Sequence, residues 1–525
     1  MNCFLFVLLA LLTISAQAQP DVLINRYNAN VTGANTHEIV LNTSNVNPDH
    51  FGKLYSYYVD GAVYAQPLYV SSLRIARGRP LDAIFVATMN DRVYAFDASR
   101  QGPPLWRRDL TNEMNGVTPV PVADVTNNPE LNIVGNVGIE GTPVIDLATG
   151  ALFLVARTKE NGGYVQRLHK LDIHTGADIV APVVIEAAVK SSAKDAVAGV
   201  LRFDPKGGNQ RSALVLVDGK VVIAWASHED IRPYHGWIMA YDADSLTQTG
   251  TLCLSPDGAE GGVWQSGRPP AVDSEGNVYF EVGNGSWNGE RDFGNSLLKI
   301  RIGANDISVA DFFTPHDWGA LNERDADLGS TGPLLVPGTN VVIAGSKSGT
   351  IYLLNKDRLG HLTATNSGVI QRMDIEGGRP LAGPSFWDGP SGGTFYLWCD
   401  ADVLEAFRFD GKLLVAQPFA KGAVVSKGSP GGALTVSADD KKHGSGIVWA
   451  TLTNGKNADH GNAAGILRAY DAETLKELWN SEQQRRRDRL GTLVKFVPPL
   501  VVAGKVYVPN YDNSVNVYGL LPSQQ

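Results

Sequence analysis

Leu467-Arg468-Ala469-Tyr470-Asp471, followed a few residues later by Leu478-Trp479, is the stretch that decides the fold, because it is not unique in the chain. Val93-Tyr94-Ala95-Phe96-Asp97 precedes Leu105-Trp106 in the same way. Leu168-His169-Lys170-Leu171-Asp172, Trp237-Ile238-Met239-Ala240-Tyr241-Asp242 and Ile351-Tyr352-Leu353-Leu354-Asn355 vary the same theme. Each run has the β-branched, aromatic and aliphatic content of a buried strand, and most end on an Asp that enters a turn, where its carboxylate accepts backbone N–H groups. The Trp of the following strand is placed to pack between neighbouring sheets.

The starts of the repeats line up as well. They are Gln66-Pro67-Leu68, Thr142-Pro143-Val144, Ser212-Ala213-Leu214, Pro269-Pro270-Ala271, Gly332-Pro333-Leu334, Gly383-Pro384-Ser385, Gly431-Gly432-Ala433 and Pro498-Pro499-Leu500. Each unit reads as a four-stranded antiparallel sheet, apolar on both faces, that buries itself only by stacking against copies of itself. The sequence therefore predicts an all-β, eight-bladed β-propeller. The last unit, Lys495 to Leu520, supplies only three strands, while Lys53 to Val59 precedes the first unit as an extra strand. That strand is expected to complete the last blade from outside and close the ring.

A single array also explains how 525 residues fold without several separate cores, since repeats grow without enlarging one core. The domain reading is residues 1–18 as a signal peptide, 19–52 as an N-terminal extension and 53–525 as the propeller. Phe4 to Ile14 is an apolar core too short to span a bilayer, and Ala16-Gln17-Ala18 is a small-x-small cleavage site. Secretion or export to a periplasm is expected, with Ala18 the last residue removed and no stable membrane insertion. A formal charge of −9 and the lack of a basic stripe exclude a nucleic-acid partner. Cys253 and Cys399 read as two separate buried thiols, and no CxxC or CxxCH spacing occurs. No GxSxG, P-loop, HExxH or EF-hand pattern is present. His228 and His235 form a polar-aromatic cluster that reads as satisfied histidines of a blade loop. Arg485-Arg486-Arg487 reads as a solvated loop.

With its Tyr-x-x-Asp and Leu-Trp repeat in eight units, the chain from about Lys53 onward resembles the pyrroloquinoline quinone (PQQ) repeat proteins and the quinoprotein alcohol dehydrogenases. Val278-Tyr279-Phe280-Glu281-Val282-Gly283-Asn284-Gly285-Ser286-Trp287-Asn288 resembles the run whose first Asn ligates calcium in that family, which implies Asn284. The stretch around Lys159-Glu160 implies Glu160 as the second calcium ligand. Trp264 resembles the Trp that stacks on the quinone, and Lys347 falls where a cation contacts it. Hard oxygens suit calcium, and an aromatic floor with a nearby cation suits a quinone. The family's catalytic Asp appears at Asn295, which cannot act as a base, with Asp292 as the nearest carboxylate. The adjacent cysteine pair of the family is absent.

The resemblance thus implies a secreted propeller that binds a small molecule or a protein at its axial face and lacks the usual catalytic Asp. The alternative is a PQQ- and calcium-dependent alcohol or sugar dehydrogenase. A scaffold for protein assembly is a third reading.

Overall fold

The structure, a computed structural model, describes residues 20–75, 78–126, 133–459 and 461–522. The signal-peptide reading lies outside these residues. Among the described residues no helix is long and apolar enough to cross a membrane.

Eight four-stranded antiparallel blades surround one axis. Their innermost strands are Leu68–Leu73, Val144–Asp146, Val215–Val217, Ala271–Val272, Leu334–Leu335, Ser385–Gly389, Ala433–Ser437 and Leu500–Val502, which we number as blades 1 to 8. Each begins at the expected repeat start, blade 3 one residue later. The Gly and Pro residues ahead of these strands are what stop the preceding chain from pairing onward.

The repeat's signature residues do structural work. Asp471 accepts the backbone N–H groups of Glu473 and Thr474 at 2.8 and 3.0 Å, and Asp97 that of Ser99 at 2.9 Å. Trp106, on the outer strand of blade 1, donates its indole N–H to the carbonyl of Ile173 in blade 2 at 2.9 Å. Trp479 of blade 7 is fully buried and meets Tyr518 of blade 8 with ring centroids 5.7 Å apart. These aromatic side chains cement neighbouring sheets, because each sheet's outer surface is the next sheet's core.

The ring closes as the sequence predicts. Phe51–Tyr58 pairs antiparallel with Ser514–Leu520, Phe51 opposite Leu520 and Tyr58 opposite Ser514, and forms the outer strand of blade 8. Arg485–Asp488 is a short helix rather than a loop, and its three arginines are exposed to solvent. Its Arg487 donates to the buried carboxylate of Asp488 and to the Phe51 carbonyl, and so ties down the closing strand.

Residues 22–35 run inside the ring. The inner strands are edge strands whose open backbone faces the axis, and this segment pairs with them in blade order. Val22 exchanges hydrogen bonds with Tyr69 of blade 1, the Leu23 carbonyl accepts from Ile145 of blade 2, and Ile24 packs on blade 3. The carbonyls of Ala29, Asn30, Thr32 and Gly33 accept from Val272, Leu335, Phe386 and Val436 of blades 4 to 7. Ala34–Asn35 then forms a short parallel strand on blade 7, and the Tyr27 hydroxyl accepts from Val501 of blade 8 at 2.7 Å. Arg26 is buried at the axis and donates to the Pro384 carbonyl, the Ser385 hydroxyl and the Leu434 carbonyl. The channel is filled at this level.

Candidate functional site: an axial cavity

Where the inner strands begin, the axis widens into a cavity of about 790 Å³. Its wall follows from the repeat. In six blades the residue four positions before the inner strand points into it: Tyr64, Glu140, Arg211, Leu381, Ser429 and Phe496. Blades 4 and 5 instead contribute Trp264 and Asp327 from slightly earlier in the same approach. Asn284 follows the second strand of blade 4, and Lys347 sits in the turn after the second strand of blade 5.

Three of the residues singled out from sequence, Trp264, Asn284 and Lys347, therefore line one cavity. Trp264 stands edge to face against Phe496, with centroids 4.8 Å apart and planes at 83°. Lys347 donates to Asp325 at 2.9 Å and pairs with Asp327 at 2.7 Å. Asn284 donates its amide N–H to Asp325 at 2.7 Å, which leaves its own oxygen without a partner among the described residues.

The other three are placed elsewhere, each for its own reason. Glu160 ends the second strand of blade 2, Ala151–Glu160, which the two-residue turn Asn161-Gly162 joins to Gly163–Asp172. That long hairpin carries Glu160 to its tip. There its carboxylate is gripped by Arg167 and accepts from the Thr158 hydroxyl, and Arg167 holds it below the usual carboxylate range. Asn295 is fully buried in a left-handed conformation, φ 52°. Its oxygen accepts from the Leu328 N–H at 2.9 Å and its amide donates to Asn322, so it joins loops instead of facing the cavity. Asp292 closes its own loop, accepting from the Asp257 N–H at 3.0 Å and the Asn288 amide at 2.8 Å.

Sequence reading missed a second polar group. Glu140 and Arg211, both nearly fully buried, approach to 3.5 Å. Burial raises the Glu140 carboxyl against the pull of Arg211. One Glu140 oxygen and one Arg211 terminal nitrogen keep no partner among the described residues. The Arg211 guanidinium lies over the Tyr64 ring, 5.5 Å from its centroid. His228 also lines the cavity and accepts from Arg157 through Nε2 at 2.6 Å. Burial, and then Arg157, push it well below the usual histidine range, so it is neutral. His235, by contrast, is satisfied by Ser255 and Asp195 away from the cavity. The one sequence signal for Glu140 and Arg211 was their fixed distance from the inner strand.

The wall carries six carboxylates, from Glu140, Glu229, Asp230, Asp325, Asp327 and Asp459, against the cations of Arg211, Lys347, Arg379 and Lys495. Arg379 pairs with Asp400 at 2.7 Å, and Lys495 donates to the Ala458 carbonyl at 2.7 Å. Calcium does not fit this donor set. Glu160 is tied to Arg167, an ammonium lies between the two aspartates, and among the described residues no group of three or more acidic, histidine or cysteine side chains is placed to hold a metal. Cys253 and Cys399 are buried and unpaired.

The sheets and the axial position of the cavity define the chain as an eight-bladed β-propeller. Among solved structures it is similar to quinohemoprotein alcohol dehydrogenase ADHIIG from Pseudomonas putida HK5, at 14% identity and TM-score 0.57, covering 96% of this chain and 81% of that one. It is similar to a europium-containing methanol dehydrogenase at 13% identity and TM-score 0.57, covering 95% and 98%. A quinohemoprotein alcohol dehydrogenase from Comamonas testosteroni follows at 16% identity and TM-score 0.54, covering 96% and 82%. No family model and no curated protein sequence matches the chain.

Proposed function

We propose that this is an exported binding protein whose axial cavity takes a neutral, polyhydroxylated small molecule of sugar size. The observation that carries the reading is a wall of closely set polar side chains with an aromatic ring beside them. Glu140, Arg211, Asn284 and Lys347 line the same cavity as Trp264, and hydroxyls, which both donate and accept, suit such a mixed wall. Trp264 supplies an aromatic surface for the apolar side of such a molecule. The excess of carboxylates weighs against a polycarboxylate ligand. Asn295, the residue matching the family's catalytic Asp, stands apart from the cavity wall, in line with binding rather than alcohol oxidation.

A second reading, a PQQ-dependent dehydrogenase, is favoured by the sharing of one cavity by Trp264, Asn284 and Lys347 in a fold similar to solved quinohemoprotein alcohol dehydrogenases. Calorimetric titration with neutral mono- and disaccharides, and separately with PQQ with and without calcium, tells the two apart. Saccharide binding that weakens at least about tenfold in Glu140→Gln and in Trp264→Ala supports the first reading. Saturable PQQ binding with dye-linked alcohol oxidation, and no saccharide binding, replaces it with the second.

A further inference from the structure

We infer that the ammonium group of Lys347 is the resident cation of the axial cavity, seated between Asp325 and Asp327 so that a calcium or lanthanide ion is excluded. The inference rests on the geometry of these residues and stands whichever ligand the cavity takes.

Two carboxylates and the unpartnered oxygen of Asn284 gather here, and Asn284 itself is bonded to Asp325. These are the hard oxygen donors that a calcium-sized ion selects. The place is filled by nitrogen instead. Lys347 is fixed there by its backbone as well as its charge. Its N–H donates to the Asp327 carbonyl at 2.9 Å, and the hydroxyl of the preceding Ser346 donates to the Ala326 carbonyl at 2.6 Å. The turn that carries the lysine is thus stitched to the segment that carries both aspartates, and the side chain cannot leave by a movement of the turn alone. Burial pulls the amine's pKa down, but Asp327 and Asp325 outweigh it, raise the group above its usual range and keep it protonated throughout the physiological range. A metal ion entering the same place would meet a fixed positive charge within bonding distance of its would-be ligands.

An ammonium has three N–H donors; Asp325 accepts one, and Asp327 pairs with the charge at 2.7 Å. Because Lys347 lines the cavity, a remaining N–H can serve a ligand oxygen, hydroxyl or carbonyl. The site thereby offers a hydrogen-bond donor where a metalloenzyme would offer a Lewis acid.

The test is titration of the mature protein with terbium, read by tryptophan-sensitised luminescence, and with calcium by calorimetry. Wild type, Asp327→Asn, Lys347→Arg, Lys347→Met and the double variant Lys347→Met/Asp327→Asn are compared, with circular dichroism as the check on folding. Wild type and Lys347→Arg are expected to show no saturable binding. Lys347→Met should bind terbium at least about tenfold more tightly than wild type, with the gain lost in the double variant. Saturable binding to wild type that Asp327→Asn abolishes overturns the inference, as does a folded Lys347→Met that gains nothing. If Lys347→Met does not fold, the wild-type and Lys347→Arg titrations decide alone, since saturable binding to either contradicts exclusion.

Discussion

The ring of Phe51 lies 5.0 Å from that of Trp479 with the planes at 83°, which packs the closing strand of blade 8 against blade 7. Phe51 also sits 5.3 Å from Trp449 and is fully buried. One side chain near the start of the chain thus completes a core built from its last third.

Phe51→Ala should therefore cost about 3–5 kcal/mol, the range for truncating a buried aromatic residue. Deleting residues up to Val59 should cost more, because it leaves the Ser514–Leu520 strand unpaired and removes the axial segment 22–35 as well. Urea unfolding checks both. A truncated protein as stable as the full chain would contradict the closure argument.

Asn295→Asp should destabilise the protein, not activate it. The amide donates to Asn322 and accepts from the Leu328 N–H, and a carboxylate can replace only the accepting half. The loss of a buried donor with the burial of a charge should cost about 1–3 kcal/mol. Thermal unfolding measures this. A variant of unchanged stability that gained alcohol-oxidising activity would restore the family's role to this position.

Glu281 supplies a pH prediction. It is fully buried and accepts the N–H groups of Gly332 at 2.7 Å and Gly345 at 3.0 Å. Burial outweighs these donors and raises its pKa from 4.5 to about 7. The folded protein therefore retains a proton that the unfolded chain releases. Its contribution is fully present below the unfolded pKa and declines as pH rises through the folded value, by about 3 kcal/mol in all. Glu281→Gln should be less stable at acid pH, since its amide N–H₂ faces a backbone donor, yet flatter across the window from 4.5 to 7. Denaturant unfolding at several pH values reads both. A wild-type profile as flat as the variant's would refute the protonated state.

Arg26 is held at the axis by two backbone carbonyls and one hydroxyl, and burial lowers its pKa to about 10. Arg26→Ala leaves those acceptors unpaired and opens the filled channel. A loss of about 3 kcal/mol and faster amide exchange in the inner strands of blades 6 and 7 are expected. Unchanged exchange in Ser385–Gly389 and Ala433–Ser437 would show that the axial segment is dispensable.

What the sequence determined alone was the repeat and all that a repeat enforces: blade number, strand starts, turn aspartates, interblade tryptophans and the closing strand. These are legible because each follows from local periodicity and from one unit's inability to bury its own faces. Even part of the cavity wall was encoded at a fixed distance, as Tyr64 before Leu68 and Glu140 before Val144 show. Tertiary structure alone decided what those positions do together. Glu160 stands in a promising sequence context, but a long straight hairpin removes it to Arg167, whereas Glu140 stands in an unremarked one and meets Arg211. Likewise, Lys347 shows as a lone cation in sequence, and only ring geometry reveals two aspartates around its charge. A site assembled from the mouths of eight blades is set by distances between residues far apart in the chain, and local pattern carries no measure of those distances.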